Sequence, residues 1–265
     1  MSEPALQRHA RWLAPLLVGC LALIGWEAVV RLYHLPPYLL PGPLLIGQTL
    51  WANLGSLGAS WWVTVQITFG ALALAVLGGV LLAAVFALSR WVELSLFPFA
   101  VVLQVTPIVA IAPFILIFIN STTAALLLCA WIVAFFPILA NTLVGLRSAD
   151  QQLRELFRLY SATPWQTLRL LLIPSALPYF LAGLRIAGGL SLVGAVAAEL
   201  VAGAAGSSTG LASRILEASF RTEIPKMFAA LVLLSLTGIA IYLLFDALSR
   251  FLLRRWHDSA SDGRR

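Results

Sequence analysis

Long apolar stretches separated by short polar breaks run through almost the whole chain. No Lys, Arg, Asp or Glu stands between Arg31 and Arg90 or between Glu93 and Arg147. About 20 apolar residues are enough for a helix to cross the hydrocarbon core of a bilayer. The pattern therefore predicts an all-α, polytopic membrane protein with six transmembrane helices in a single domain, residues 1–265. The predicted spans are residues 12–33, 62–88, 95–119, 122–146, 179–203 and 226–249.

Prolines mark where the apolar stretches break. Residues 36–43 contain four prolines, which fix the backbone φ angle, so this segment predicts an irregular loop. Leu44–Leu57 then predicts a short helix on the outer surface of the membrane. The third span contains Pro98, Pro107 and Pro113, so we expect a kinked helix whose freed carbonyl groups face protein or a cavity rather than lipid.

The composition supports a membrane protein over a soluble one. Charged residues make up 11% of the chain, whereas a soluble domain has roughly 25%. The net charge is +6, but the charges stand at the ends of the spans, which favours a membrane over nucleic acid as the partner. With the N-terminus inside, twelve arginines fall in cytoplasmic segments and four basic residues fall outside. This imbalance predicts that both termini are cytoplasmic.

The chain lacks the residues for catalysis of its own. A phosphate-binding loop of the G-x-x-x-x-G-K-[ST] type needs a lysine, and the one lysine, Lys226, stands outside any such motif. His9, His34 and His257 all lie outside the predicted spans, and no H-E-x-x-H motif occurs. We therefore expect no catalytic residue, metal site or cofactor in this chain.

Residues 147–178 form the one long loop predicted on the cytoplasmic side. Apolar side chains recur there at helical spacing between polar ones, which predicts an amphipathic helix. They are Leu153, Leu156, Phe157 and Tyr160. After Ser161, the segment 163–166 (Thr-Pro-Trp-Gln) has the spacing of a capping box and predicts a second helix that runs to Pro174. Two explanations stay open: an interfacial helix resting on lipid headgroups, or a docking site for a cytosolic partner.

The same loop resembles a known motif. In the inner-membrane permease subunits of bacterial ABC importers, the loop before the penultimate span reads Glu-Ala-Ala, three variable residues, Gly, nine variable residues and then Ile-x-Leu-Pro. Here Glu155 and Pro174 match that pattern literally and at the same spacing. Its other positions are filled by Leu156, Phe157, Ser161, Leu171 and Ile173.

Further segments resemble the nitrate, sulfonate and taurine branch of these permeases, in the same order along nearly the whole chain. They include Leu-Leu-Pro-Gly-Pro at 39–43, Phe-Pro-Ile-Leu-Ala-Asn-Thr at 136–142, Gly-Leu-Arg at 183–185 and Ala-Ala-Glu-Leu at 197–200. One departure is the segment 118–121 (Phe-Ile-Asn-Ser), where the branch has a Phe-Gly turn.

The resemblance implies the fold of a type I ABC importer permease in the inner membrane of a bacterium. It implies a homodimer that forms the translocation path for a small polar or anionic organic solute, such as a sulfonate, taurine, nitrate or a pyrimidine precursor. ATP and Mg²⁺ would be bound by a separate cytosolic ATPase dimer, and a periplasmic or lipid-anchored solute-binding protein would deliver the solute. Glu155 would then be a polar contact to the ATPase, and Leu156 and Phe157 would fill a pocket of it.

Small and polar residues within the spans carry further predictions. Span two has small residues at every fourth position from Ala71 to Ala87, and span five has them from Gly183 to Ala195, so both predict close helix packing. Acidic and basic residues four positions apart predict ion pairs near the span ends. These pairs are Glu27 with Arg31 and Asp246 with Arg250.

Glu199 is the carboxylate whose role the sequence leaves open. A charged side chain in a span costs roughly 2.5–3.5 kcal/mol at the bilayer centre and less towards the edge. Glu199 either pairs with Arg214 or Arg221 or lines the solute path, for which Gln104 and Thr106 are weaker candidates. If Glu199 were instead a coupling site, the chain would be an ATP-independent ion-coupled carrier or a membrane scaffold, which is the alternative to an ABC permease.

Overall fold

The computed structural model describes residues 5–204 and 210–253, and all regular structure in these two ranges is helical. The α-helices are α1 (Ala5–Leu32), α2 (Pro43–Ala52), α3 (Leu54–Leu88), α4 (Arg90–Val105), α5 (Ile108–Phe118), α6 (Thr122–Arg147), α7 (Gln151–Leu159), α8 (Pro164–Thr167), α9 (Ile173–Ala204), α10 (Leu211–Phe220) and α11 (Ile224–Leu253). A π-helical turn, Leu168–Leu172, joins α8 to α9.

The helices that are long and apolar enough to cross a membrane correspond to the predicted spans. Five continuous segments qualify: residues 13–32 of α1, then α3, α6, the stretch Pro164–Ala204, and α11. The pair α4 and α5 supplies a sixth span when the two helices are taken together. The prediction of an all-α membrane fold with six spans is therefore confirmed, with the third span broken in the middle.

The third span is two helices rather than the one kinked helix that we expected. The axes of α4 and α5 differ by 100° across the break. Pro107 has no N–H to continue the hydrogen-bond ladder of α4, and its ring disfavours a helical conformation at the preceding residue. Thr106 is accordingly extended, and its hydroxyl donates back to the carbonyl of Val102 at 2.7 Å. Pro98 and Pro113 lie inside α4 and α5 without ending either helix.

The predicted surface helix Leu44–Leu57 is also divided differently. α2 ends at Ala52, and α3 begins at Leu54 rather than at residue 62. The break is Asn53, whose side-chain amide donates to the carbonyl of Thr49 at 2.9 Å and so competes with the helical ladder. The polar and small residues between Asn53 and Ser60 gave no apolar signal for a span, so the predicted start of the second span at residue 62 was too late.

The second helix of the 147–178 loop does not stop at Pro174. Residues Pro164–Ala204 form one continuous helical stretch of 41 residues. Pro174 cannot donate to the carbonyl of Leu170, and the wider π-helical turn directly before it absorbs that missing bond without breaking the helix. The Ser175 hydroxyl donates to the carbonyl of Leu171 at 2.8 Å and stabilises the same turn. The second half of the loop and the fifth span thus form one continuous helix.

The centre of the bundle is made by α3, α6 and α9, which pack closely through small residues. Gly79 of α3 lies against Ile138 of α6, and Gly194 of α9 lies against the backbone of Ala130 of α6. The stripe of small residues on α9 is buried as predicted, and the Ser191 hydroxyl donates to the carbonyl of Thr68 on α3 at 2.7 Å. These contacts confirm the close packing that the spacing of small residues predicted.

Candidate functional site

The segment 148–172, called the elbow below, begins with a helix that has well-defined ends. Asp150 caps α7, because its carboxylate accepts from the backbone N–H of Gln152 at 2.7 Å and of Leu153 at 3.2 Å. At the other end, the N–H of Ala162 donates to the carbonyl of Phe157 at 2.9 Å, and the N–H of Ser161 donates to the carbonyl of Arg158 at 2.9 Å. These two bonds are a Schellman motif.

Ser161 explains why the family motif has glycine at this position. Its φ angle is +51°, in the left-handed region that a Schellman motif requires at the residue after the helix. A side chain there costs roughly 1–2 kcal/mol relative to right-handed backbone, whereas glycine has no such penalty. The sequence places the end of the first helix at Ser161 and Ala162; in the structure α7 ends at Leu159, and its Schellman motif runs through these two residues.

The start of the second elbow helix is the predicted capping box. The Thr163 hydroxyl accepts from the N–H of Gln166 at 3.2 Å, and the Gln166 side chain accepts from the N–H of Thr163 at 2.7 Å. Pro164 occupies the first helical position, where its missing N–H costs nothing. The turn between the two helices is therefore fixed on both sides.

The elbow is held to the bundle by polar and apolar contacts. The guanidinium of Arg154 donates to the carbonyl of Leu146, at the end of α6, at 2.9 Å. The ring of Phe157 packs against the main apolar core, so its body faces inward rather than towards a partner. Leu168 and Leu171 of the π-helical turn are buried in the same core. Leu171 is therefore a structural contact within this chain.

The other face of the elbow is apolar and exposed. Leu159 and Tyr160 are 81% and 80% exposed. Leu156 and Trp165 are also exposed, and these four residues are called the elbow surface below. Glu155 stands beside them on α7, where its carboxylate accepts from the Gln151 side chain at 3.1 Å. Of the remaining motif residues, Ile173 is exposed and Pro174 is half-buried.

Gln104 and Thr106 lie at the break between α4 and α5. Gln104 is exposed at the end of α4, and the Thr106 hydroxyl is used within its own helix end. Nearby, Val109 of α5 borders an open apolar groove of about 680 Å³ that is lined mainly by α9 and α11. A role for Gln104 or Thr106 in lining a solute path stays a prediction.

Glu199 is fully buried within one copy of the chain, on the side of α9 that faces α3 and α10. Its Oε2 accepts from the backbone N–H of Ala212 at 3.0 Å. Arg214 and Arg221, the partners suggested by the sequence, both bind Glu217 instead, at 2.7 Å and 3.0 Å. The expected ion pair of Glu199 is therefore wrong. Its suggested role in lining the path stays a prediction that this enclosed placement does not favour.

Ion pairs between helices were missed by sequence reasoning. Arg185 of α9 binds Asp246 of α11 at 2.7 Å, and its guanidinium lies 5.7 Å from the ring centre of Tyr242. The predicted pair of Asp246 with Arg250 is present as well, and Glu27 binds Arg31 at 2.7 Å. An arginine within a span needs a charged or polar partner, which is the signal that could have pointed to the pair between helices.

A second pair missed by the sequence joins Glu93 of α4 to Arg147 at the end of α6, next to the elbow. Within residues 5–204 and 210–253, no three His, Cys, Asp or Glu side chains lie close enough together to hold a metal ion.

Comparison with known proteins agrees with this geometry. Residues 75–258 match the sequence model of the family described as binding-protein-dependent transport system inner membrane component. The riboflavin transport system permease protein RibX of Chloroflexus aurantiacus is 35% identical over 247 residues, covering 90% of this chain and 88% of RibX. The formylaminopyrimidine transport permease protein ThiX of Halalkalibacterium halodurans is 32% identical, covering 94% of this chain and 98% of ThiX.

Solved structures show the same fold. A chain of the MetNI methionine ABC transporter in an inward-facing conformation superimposes with a TM-score of 0.63 at 19% identity, covering 75% of this chain and 96% of that one. The resemblance to the nitrate, sulfonate and taurine branch is supported by the sulfonate permease SsuC of Bacillus subtilis, which is 28% identical over 97% of this chain and 92% of SsuC. The chain belongs to the binding-protein-dependent transport system inner membrane component family, the permeases of ABC transporters.

Proposed function

We propose that this chain is the membrane subunit of an ATP-driven importer, in which two copies form the path for a small polar or anionic organic solute. The elbow of each copy contacts a cytosolic ATPase, which binds ATP and Mg²⁺. A periplasmic or lipid-anchored binding protein delivers the solute at the opposite end. The protein resides in the inner membrane of a bacterium with both termini in the cytoplasm.

The observation that carries this proposal is the elbow surface. An exposed apolar patch on a short helix outside the bundle marks a site of interaction with protein or membrane. The helix that carries it is capped at its start, closed by a Schellman motif at its end and bonded to α6 through Arg154. A partner that moves this surface therefore moves α6 and α9 with it, as expected of a rigid-body transmission.

The charges around the elbow support its placement on the cytoplasmic side. Arg90, Arg147, Arg154, Arg158 and Arg169 all stand at this end of the bundle. Basic residues in short loops favour the cytoplasmic side of a membrane. The chain then exposes the elbow surface where a cytosolic ATPase can bind it.

The relatives narrow the choice of solutes for a first assay. RibX and ThiX, both above 30% identity, are named for riboflavin and formylaminopyrimidine. Relatives of lower identity are named for aliphatic sulfonates, nitrate and taurine. Among small polar or anionic solutes, we therefore propose to assay nitrogen heterocycles of the pyrimidine type first and sulfonates second. Family membership favours this function over an ion-coupled carrier built on Glu199.

The test is capture of the ATPase subunit by the tagged permease, together with uptake into vesicles that contain the binding protein. Leu159→Asp and Glu155→Ala change the elbow surface and its polar neighbour. We expect ATPase capture to fall at least tenfold in Leu159→Asp and uptake to fall in both variants, with normal membrane insertion. Phe220→Asp is the matched control for capture, because Phe220 is 78% exposed at the opposite end of the bundle.

Full ATPase capture and full uptake in both elbow variants would contradict the docking role. Uptake by the parent protein in vesicles depleted of nucleotide would instead support the ion-coupled alternative.

A further inference from the structure

The N-terminal end of α10 is capped by other helices rather than by its own sequence. The N-cap residue is Gly210, which has no side chain to accept a hydrogen bond. The N–H of Leu211 donates instead to the hydroxyl of Thr64 on α3 at 2.9 Å, and the N–H of Ala212 donates to the carboxylate of Glu199 on α9 at 3.0 Å. The first two N–H groups of α10 are thus bound by two different spans.

Two further bonds complete the attachment of α10. The Ser213 hydroxyl donates to the backbone carbonyl of Glu199 at 3.0 Å, and Nε of Arg214 donates to the hydroxyl of Ser60 on α3 at 3.0 Å. A carboxylate at a helix N-terminus is also favoured by the positive end of the helix dipole. Glu199 therefore fastens α10 to α9, while α3 fastens it from the other side.

Glycine at position 210 is required by the same carboxylate. A Cβ atom added to Gly210 would overlap the carboxylate of Glu199. The chain uses the same arrangement at the start of α2, where Glu27 of α1 accepts from the N–H of Leu44 at 3.2 Å and a Cβ on Gly42 would lie 2.6 Å from its Oε2. Both short helices at the end opposite the elbow are thus capped by a glutamate of the preceding span.

The helix that carries Glu199 also carries the second half of the elbow. Pro164–Ala204 is continuous, with the capping box of the elbow at one end and Glu199 near the other. At 1.5 Å per residue, about 50 Å of helix separates Pro164 from Glu199. A displacement of the elbow is therefore carried along this helix to the carboxylate that holds α10.

Resting on the proposed function, we infer that Glu199 is a positioning residue that transmits movement of the elbow to α10. The carboxylate acts within the protein and not as a ligand of solute or ion: it couples α10 to the movement of α9 at the outer end of the path. Without the hydrogen bond from Ala212 to Glu199, the ATPase still binds and hydrolyses ATP but drives uptake poorly.

The experiment reports the position of α10 through a thiol on its buried face. Ala218 is 1% exposed on α10, so Ala218→Cys is introduced into a chain with Cys20→Ala and Cys129→Ala and assembled with its ATPase and binding protein. A membrane-impermeant maleimide is applied from the outside, with and without ATP and vanadate. We expect the labelling rate in this background to change at least threefold on nucleotide trapping.

Glu199→Leu removes the acceptor, and Gly210→Ala displaces the carboxylate. We expect each to abolish the nucleotide-dependent change and to lower uptake at least tenfold, while ATP hydrolysis stays within about twofold. Glu199→Gln keeps an oxygen that accepts from the N–H of Ala212, so we expect this variant to retain most of the nucleotide-dependent labelling change and most of the uptake. Gly58→Ala is the matched control, because no atom lies within 4 Å of its added Cβ.

Retention of nucleotide-dependent labelling and of uptake in Glu199→Leu would overturn the inference, as would an α10 thiol that never responds to nucleotide in an assembled, active complex. A thiol at Ala229, which is buried on α11, serves as the control for unfolding. It should stay protected from the maleimide if the variants release only α10. Labelling of this thiol in the variants would show that the whole bundle has loosened, and it would also overturn the inference. Failure of the parent chain to bind an ATPase would refute the proposed function itself, so the two failures are distinguishable.

Discussion

The guanidinium of Arg154 donates to the backbone carbonyl of Leu146 at 2.9 Å, joining the first elbow helix to the end of α6. The carbonyl is one of those that the end of α6 leaves without a helical partner, and the charged donor makes this bond stronger than a neutral one. The bond spans the turn at residues 148–150, so it fixes the angle at which α7 leaves the bundle.

Arg154→Ala is expected to free α7 from α6. A hydrogen bond from a charged group contributes about 1.5–3 kcal/mol, so the amides of α7 should exchange with solvent roughly tenfold or more faster while those of α6 change little. Hydrogen exchange of the purified protein measures this, with Arg158→Ala as the control because Arg158 is exposed on the same helix. Equal exchange rates in the two variants would mean that the bond to Leu146 does not hold the elbow.

Ser161→Gly is expected to stabilise the protein. The φ angle of +51° strains serine and not glycine, so the gain is about 1 kcal/mol. Thermal unfolding in detergent measures it, with Ala162→Gly as the control: Ala162 does not have a positive φ angle, so glycine there only adds freedom to the unfolded chain. A lower melting temperature for Ser161→Gly than for the parent would contradict the strain.

The elbow shows what the sequence could and could not predict. Its stop at Ser161 and its start at Thr163 depend on neighbouring residues, so local patterns were enough to find both. The fusion of α8 with α9 was missed because prolines 174 and 178 usually end helices, and a π-helical turn that accommodates them has no signal in the apolar pattern. The motif also gave no indication that Phe157 and Leu171 face the chain's own core.

The partner of Glu199 could not be predicted for a different reason. A buried carboxylate needs a donor, and arginine was the donor that the sequence made visible. The actual donor is the backbone N–H of Ala212, a group that every residue except proline has, so only the path of the chain in space selects it. Similarly, Pro107 predicted a kink in the third span but not two helices at an angle of 100°.

Acid is expected to weaken the charged contacts of α10. The hydrogen bond from Arg214, with the charges of Arg214, Arg221 and Lys226, lowers the pKa of Glu217 below its ordinary value of 4.5. Because the folded pKa lies below the unfolded one, these contacts stabilise the fold above pH 4.5, and the contribution is lost as the pH falls from there through the lowered pKa.

Melting temperatures of the parent and of Glu217→Gln between pH 7 and pH 3 test this. The variant should be less stable than the parent at pH 7, and the difference should shrink below pH 4.5. Glu155→Gln serves as the control, because Glu155 accepts only a neutral side-chain amide among the described contacts. A difference between parent and Glu217→Gln that is constant with pH would contradict the role of the carboxylate charge.

Two glycines of α9 differ in how close their neighbours lie, so replacing each by alanine tests the packing of α9 on α6. A Cβ atom on Gly183 would lie 2.7 Å from Cβ of Asn141 and 2.9 Å from the carbonyl oxygen of Pro137. Because backbone cannot yield as a flexible side chain does, Gly183→Ala should cost about 1–3 kcal/mol of stability. Gly189→Ala, six residues further along the same helix, meets no atom within 4 Å and should stabilise the helix by about 0.5–1 kcal/mol. Thermal unfolding in detergent compares the two, and melting temperatures that shift in the same direction would show that the contact between α6 and α9 is looser than these distances require.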